Sequence, residues 1–573
     1  MLLPLLLALA VVLGLGSYFE TSDDGTLAWL FSGVLALQPV VSVPLYLHGY
    51  GHLLAAAYTA APAGPWLGLL LAGLLAAATA LWFAVLERLL RAHFRPGWLT
   101  LALVLFFGLA WLEHWLWFSH ARVALLLAAG GVLFAAQRPG QRWPLLLGLA
   151  ALLAAWLVRP GLAALAVAAA APAAMLLAGS ARRAAPPLLA AGVLLGLAFG
   201  LAALNQTPAE ACVQARDVRL ARILDYEQLS AHPRTAADSL GIAAIGCWLL
   251  GDSAVVDPVL RGSVYRFEPA DFAGRVLPAK LAVRAGLLLR DYFPVLLALL
   301  ATAVATRRQR RAAPGKFWLV QLCFATGLAG LAGLLKLPPR LALPLLDCWL
   351  LTNLVFWRQS LASGTSVAAV EHADAASAVE DSHSAPQPVR KGRSRRFPLL
   401  PDSPLTRNAG AAAILLVSGL YAAKTWHRHQ VLRHEQEQHE IVLAQIRAKS
   451  GTIRVLGGTS YLLKSLSPYH TYSLGSGPVL QLTGWPSHDP SQVGLRRALT
   501  GTADQAECLL RLARRAGPGD EVVWFLIPRA ADWLNWRLGS DSAALSLVPA
   551  ATSLPAPLPW LVRRYRVQRF PKP

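Results

Sequence analysis

Charge is scarce in this chain. Of 573 residues, 14% are Asp, Glu, Lys or Arg and 55% are hydrophobic, and the mean hydropathy is +0.47. A soluble globular protein carries about 25% charged residues, so a wholly soluble fold is excluded. Cysteine is sparse too. The five, at 212, 247, 323, 348 and 508, form no CxxC pair and no zinc-ligand spacing. Cys323 and Cys348 fall in apolar stretches. Cys212 and Cys247 share one polar segment and could pair if it faces an oxidising compartment. Gly457-Gly458-Thr459-Ser460 lacks the lysine and the spacing of a phosphate-binding loop. There is no internal repeat and no acidic motif of the DxD kind.

Long apolar runs stand in place of charge. Trp98–Ala110, Trp143–Val158, Gly161–Gly179 and Pro186–Leu204 contain no charged residue. In lipid a helix must satisfy its own backbone, and it needs about 20 apolar residues to span the bilayer. Runs near 2–16, 65–86, 98–117, 121–136, 143–158, 161–179, 186–204, 292–306, 317–335, 341–357 and 409–423 predict about eleven transmembrane helices. The first has no basic flank ahead of it and a poor cleavage site behind it, so it reads as an uncleaved span rather than a signal peptide.

The formal net charge of +21 has a topological explanation. Arg88, Arg91 and Arg95, then Arg138 and Arg142, then Arg182 and Arg183, then Arg307, Arg308, Arg310 and Arg311 fall in every second connection. This is the positive-inside pattern. It puts the N-terminus in the cytoplasm and the loops 18–64 and 205–290 outside. A nucleic-acid partner is excluded on the same ground, since no basic stripe lies on a soluble face.

The domain organisation follows. Residues 1–357 form the main bundle. Residues 358–407, Ala/Ser/Glu-rich and then basic from Arg390 to Arg396, predict a disordered cytoplasmic linker. A last span at 408–424 leads to an extracytoplasmic region, 425–573. There a polar helix over 424–449 precedes strands at Thr452–Leu456, Val479–Leu482 and Glu521–Ile527 and a helix at Gln505–Arg515. His427, His429, His434 and His439 are irregularly spaced around that polar helix and read as a solvated face, not as metal ligands. The expected fold is mainly α, a polytopic transmembrane bundle with a small α/β C-terminal domain.

The loop after the first span, Tyr18-Phe19-Glu20-Thr21-Ser22-Asp23-Asp24-Gly25, is the most informative segment. Two adjacent carboxylates just outside a span suit a general base or a divalent-metal site. They equally suit topology and helix capping, with Ser22-Asp23 as the cap. The stretch Thr26–Ala61 is apolar but broken by Gly33, Pro39, Pro44, Gly49 and Gly51, and it carries His48, Tyr50, His52 and Tyr58. It predicts helices lying along the outer membrane surface rather than two spans.

This acidic pair, placed after the first span and ahead of interfacial helices, resembles the GT-C superfamily of multispanning glycosyltransferases, which use polyprenyl-phosphate-linked sugars. The resemblance covers about residues 1–357. Leu157-Val158-Arg159-Pro160, the stretch from Arg219 to Asp225-Tyr226, and Lys336-Leu337-Pro338-Pro339-Arg340 are similar to a less characterised bacterial branch. The resemblance implies Asp23 and Asp24 as catalytic residues and a bacterial inner (plasma) membrane location. It implies a lipid-linked sugar donor as partner, and an acceptor that could be a glycan, lipid or protein.

The residues add their own argument. Arg159, Lys336 and Arg340 are cations on the outer side, against the charge bias. An arginine fork fits phosphate oxygens, so these three are candidate donor-phosphate ligands; plain contact with lipid headgroups is the alternative. Glu113 and His114, with His120 and Arg122 across a turn, are ionisable groups at a span end and hence functional candidates. Anchoring beside Trp111, Trp115 and Trp117 explains them equally. Glu20, His48, Tyr50, His52, Glu113, His114, Arg219, Asp225 and Tyr226 are the candidate lining of a substrate cavity. Trp485–Asp489 could touch an acceptor, but a plain surface loop is the better reading.

The expected activity is transfer of a sugar from a polyprenyl phosphate to an acceptor on the outer face. Asp23 or Asp24 would be the base, or would hold a magnesium or manganese ion, and Arg340 and Arg159 would neutralise the departing phosphate. Three alternatives stand beside it. A polysaccharide polymerase or ligase would depend more on the outer arginines and the Glu/His groups. A transporter would require paired charges inside spans, for which Asp347 is the nearest candidate. A structural membrane protein would use its outer domain to bind a partner.

Overall fold

The computed structural model describes residues 2–43, 49–92, 94–308, 314–377, 404–449, 451–515, 521–540, 545–550 and 562–569. It is mainly helical. A short apolar helix, Leu2–Gly14 (α1), precedes two ten-residue helices, Ser22–Phe31 (α2) and Gly51–Ala60 (α3). Among the described residues of 26–61 no helix is long enough to span a membrane, in keeping with their glycines and prolines.

The bundle continues with Trp66–Leu90 (α4), Pro96–Leu116 (α5), His120–Ala136 (α6), Arg142–Val158 (α7), Pro160–Leu177 (α8) and Ala181–Asn205 (α9). The polar segment that follows folds into Pro208–Leu224 (α10), Ala236–Gly246 (α11) and Ser253–Arg261 (α12). Pro269–Arg308 (α13) bends at Tyr292, whose backbone is non-helical two residues before Pro294. Pro314–Leu334 (α14), Pro339–Ser377 (α15) and Pro404–Arg447 (α16) complete the bundle. Eight of these helices, α4, α5, α8, α9, α13, α14, α15 and α16, are long and apolar enough to cross a membrane among the described residues.

The interior of the bundle is α6, buried along almost its whole length and packed against α4, α7 and α8. Glycine permits the closest approach: a Cβ on Gly131 would lie 2.6 Å from the Gly148 carbonyl oxygen of α7. Small residues at such a crossing let two backbones come into contact where lipid gives no hydrophobic drive.

Two boundaries differ from expectation. The helix α15 runs on to Ser377, so the first part of the expected disordered linker is helical; 378–403 lies outside the described residues. The last span and the polar helix are one helix, α16. Its histidines are not a uniform solvated face. His429 and His439 are buried, with Nδ1 of His429 3.2 Å from the Tyr18 hydroxyl and Nδ1 of His439 2.9 Å from the Lys464 carbonyl.

Two residues on each side form a parallel bridge, Tyr18–Phe19 (β1) with Trp117–Phe118 (β2), and a small antiparallel pair joins Ser230–Ala231 (β3) to Tyr265–Arg266 (β4). The C-terminal sheet comprises Ile453–Gly457 (β5), Val479–Gln481 (β6), Val522–Leu526 (β7), Leu545–Pro549 (β8) and Arg563–Arg569 (β9), in the order β6-β5-β7-β9-β8. The β5 strand is parallel to β6 and β7, and β9 is antiparallel to β7 and β8. The run Val-Val-Trp-Phe-Leu of β7 is buried on both faces, as an internal strand requires. Pro490–Thr500 (α17), Gln505–Arg515 (α18) and Pro528–Ser540 (α19) flank the sheet.

This region shares cores with both long loops. Leu462, Leu463 and Leu466 pack in one cluster with Phe19 and Leu27, and Val455, Leu480 and Trp524 pack in another with Leu220, Ala244 and Val256. The loops 18–64 and 205–290 and the C-terminal sheet therefore lie on one side of the bundle. All five cysteines are free thiols, so Cys212 and Cys247 do not pair.

Candidate functional site

The β1–β2 bridge sets the end of α1 against the end of α5, and Glu20 N–H donates to the Phe118 carbonyl at 2.9 Å. Thr21 then opens α2 with an extended backbone, which places Asp23 and Asp24 in the first turn. Acidic side chains are favoured there by the helix dipole.

The two carboxylates have different surroundings. Asp24 is fully buried. Its Oδ1 accepts the His120 N–H at 2.8 Å and His120 Nδ1 at 2.7 Å, and its Oδ2 accepts the Thr21 hydroxyl at 3.2 Å. His120 is the first residue of α6, so Asp24 satisfies an orphan N–H of one helix from the first turn of another. Burial alone would push the Asp24 carboxyl up. The charge and hydrogen bonds of His120, with the Arg340 charge, outweigh burial and hold it below the usual aspartate range. Asp23 is partly exposed at 24%. Its Oδ2 lies 3.8 Å from the Arg340 guanidinium, and its Oδ1 accepts the Trp485 indole N–H at 3.1 Å.

Behind this pair lies a buried network. Glu20 is bound by Arg122 at 2.7 Å, and Arg122 also donates to the Glu113 carbonyl at 3.3 Å and to His114 Nδ1 at 3.2 Å. Since His114 Nδ1 accepts, its ring proton sits on Nε2, which donates to Asp347 at 2.8 Å. A wide π turn, Phe107–Trp111, immediately precedes Glu113 and His114. Such a turn inserts a residue and re-aims the side chains beyond it. The Glu113 carboxylate accepts Tyr421 at 3.0 Å, Lys424 at 3.1 Å and Arg428 at 2.9 Å, all from α16. Arg428 also reaches Asp291 at 2.9 Å.

The chain matches no known protein family, no curated protein and no solved structure.

Of the sequence candidates, Glu20, Asp23, Asp24, Glu113, His114 and Arg340 come together. Others do not join them. Lys336 pairs with Asp225 at 2.5 Å, which ties the end of α10 to the approach of α15, and the Tyr226 carbonyl accepts Lys280 of α13 at 2.6 Å. Arg219 and His52 are exposed. Arg159 is half-buried at the α7–α8 junction, close in the chain to Ala154, whose carbonyl accepts the Tyr50 hydroxyl at 3.2 Å. His48 lies outside the described residues.

The turn Trp485–His488 is not a surface loop. Pro486, Ser487 and His488 are buried, and His488 Nε2 lies 2.6 Å from Asp217. Sequence reasoning also missed Asp291, Tyr421, Lys424 and Arg428. The last three share one face, at i, i+3 and i+7, but Lys424 and Arg428 open a polar stretch in which nothing local sets them apart.

No group of three or more His, Cys, Asp or Glu gathers in a metal-holding arrangement among the described residues. Both oxygens of Asp24 are committed and Asp23 already meets the Trp485 indole and the Arg340 guanidinium, so a magnesium or manganese ion would find only the partly exposed Asp23 here and would take its other ligands from phosphate oxygens.

Proposed function

We propose that the chain is a membrane glycosyltransferase that moves a sugar from a polyprenyl-phosphate donor to an acceptor hydroxyl at the outer membrane surface. One observation carries this reading. A partly exposed carboxylate, Asp23, lies 3.8 Å from an arginine, Arg340, at the end of the bundle where two outer loops meet. A base for the acceptor and a cation for the phosphate are the two groups that this transfer needs.

In the reaction Asp23 takes the acceptor hydroxyl proton as that oxygen attacks the anomeric carbon. The bond from carbon to phosphate oxygen breaks with its electrons leaving on the phosphate. Arg340 stabilises the charge that develops there. Asp24 is assigned a supporting role, holding α2 against α6. A divalent ion on Asp23, when bound, would further neutralise the phosphate. A single displacement of this kind inverts the anomeric centre, by analogy with inverting hydrolases.

The membrane arrangement belongs to the same proposal. Adding the shorter apolar helices α1, α6 and α7 to the eight long ones gives eleven spans. The arginine-rich connections then face the cytoplasm, and the C-terminal domain lies outside.

A second reading, a transporter, has one observation in its favour. His114 and Asp347 form a fully buried ionisable pair between α5 and α15. We rank it lower because this pair continues through Arg122 and Glu20 to the acidic loop.

The deciding experiment expresses wild type and Asp23→Asn at matched levels in a host lacking the native glycan. Consumption of a panel of polyprenyl-phosphate-linked sugars is then measured in membranes. Donor consumption that disappears in Asp23→Asn supports the proposal. Wild-type consumption retained in Asp23→Asn removes Asp23 from the chemistry and moves the polymerase or ligase reading ahead. No consumption by wild type defeats the proposal and favours transport.

A further inference from the structure

We infer that Trp485, contributed by the C-terminal domain, is the positioning residue for Asp23, so that the site is complete only with that domain docked on the first loop. This rests on the assignment of Asp23 as the base.

The docking is extensive. Phe19 N–H donates to the Leu466 carbonyl at 2.8 Å and Ser465 N–H returns to the Phe19 carbonyl at 3.0 Å, a strand-like exchange between segments over 440 residues apart. The Trp29 indole donates to the Tyr472 carbonyl at 2.7 Å, and the Gln492 amide donates to the Leu35 carbonyl at 2.6 Å. Two glycines permit the approach. A Cβ on Gly25 would sit 2.7 Å from the Leu463 Cβ, and one on Gly68 would sit 1.8 Å from the Pro468 carbonyl oxygen.

The turn bearing Trp485 is held on both sides. Gly484 enters it with φ of +81°, a conformation glycine adopts without strain, and its N–H donates to the Trp248 carbonyl at 2.7 Å. At the far end His488 is paired with Asp217 at 2.6 Å, and Asp489 caps α17 by accepting Ser491 N–H at 2.9 Å. A side chain on so fixed a turn is a stable reference point for its neighbour.

The chemistry of the contact fits positioning. The Asp23 carboxylate is engaged through different oxygens, Oδ1 by the indole and Oδ2 by the Arg340 charge. An indole N–H donates only. It can fix the plane of the carboxylate without accepting the proton that Asp23 must take. Proton transfer and in-line attack depend steeply on such alignment. Asp23 without this contact keeps its charge and its arginine but loses its orientation, so the turnover step suffers rather than donor affinity.

The test uses full-length protein in detergent with the radiolabelled polyprenyl-phosphate hexose that wild type consumes. Trp485→Phe keeps the ring and removes the N–H. Its kcat should fall roughly 10- to 100-fold while KM for the donor stays near wild type. Trp485→Tyr, whose hydroxyl still donates, should recover part of the loss. A wild-type kcat in Trp485→Phe, or an equal loss in Phe and Tyr variants of matched thermal midpoint, overturns the inference while leaving glycosyl transfer intact. Full activity in Asp23→Asn, or no donor consumed by wild type, overturns the underlying assignment and the inference with it.

Discussion

Asp24 and His120 clasp two helix N-termini: one carboxylate oxygen receives both the backbone N–H of His120, at 2.8 Å, and its ring Nδ1, at 2.7 Å. Adjacent carboxylates thus part company, since Asp24 is fully buried and Asp23 is not. Breaking one partner of a buried charged pair typically costs about 3–5 kcal/mol. Asp24→Ala should therefore lower the thermal midpoint in detergent by several degrees. Asp23→Asn, at a partly exposed site with a 3.8 Å ion pair, should cost no more than about 1 kcal/mol, and lose donor consumption. A destabilised Asp23→Asn beside an unaffected Asp24→Ala would reverse these roles.

The same contact sets a pH dependence. The folded Asp24 pKa is depressed, because His120 and Arg340 outweigh burial. A group whose folded pKa lies below its unfolded value, about 3.9 for aspartate, stabilises the fold above the unfolded value. That stability is lost as pH falls through the folded value. Thermal midpoints should therefore drop on acidification below about pH 4, and Asp24→Asn should show a shallower drop. Equal slopes in a pH series of thermal melts would show that Asp24 contributes nothing to acid sensitivity.

The α16 helix is fixed to the bundle by charge as well as by apolar contact. Arg428 bridges Glu113 and Asp291 at 2.9 Å each. Arg428→Ala leaves both carboxylates short of a partner and should cost about 3 kcal/mol. Adding Glu113→Gln should restore part of that stability, because the buried carboxylate left with only Tyr421 and Lys424 is neutralised. A double variant as unstable as the sum of the singles would show that these groups act independently.

Much of this was legible in the sequence, for reasons specific to each element. Uninterrupted apolar runs mark the long helices, because lipid tolerates little else. The strands β5, β6 and β7 and the helix α18 fall within a residue or two of their predicted limits, because short apolar runs between turns have few other folds. Asp23 and Asp24 were visible as a pair, but not their separation into an exposed and a buried carboxylate. That depends on His120, about one hundred positions away, and on where α6 begins. The partners of Lys336 were equally hidden: its cation suggested phosphate, and its neighbour is Asp225. Trp485 was unreadable, because nothing local to Trp-Pro-Ser-His-Asp indicates that the turn is buried against α10 and the first loop. Long-range packing decides such cases, and one sequence does not contain it in periodic form.

Gly68 tests the docking of the C-terminal region. It has no room for a methyl group against Pro468, and overpacking of this kind costs about 1–3 kcal/mol. Gly68→Ala should push the 460–473 segment off α4 and speed its cleavage by a protease added to purified protein, while Gly73→Ala, on the same helix with open space around it, should not. Equal cleavage in both would mean that the segment is held elsewhere.

Cys212 offers a direct reading of sidedness without any engineered residue. It is an exposed thiol on α10, which packs with the C-terminal sheet through Leu220. Cys323 is also exposed, but on α14, one of the eight apolar helices, where lipid would shield it. A membrane-impermeant maleimide added to intact cells, or to spheroplasts where an outer membrane intervenes, should label wild type and label Cys212→Ser far less, the half-buried Cys247 being the other thiol of that loop. Labelling of Cys212 only after the membrane is opened would invert the topology. Because the first loop and the C-terminal domain pack on the same end of the bundle, both would then face the cytoplasm, and the donor would have to be drawn from the inner leaflet.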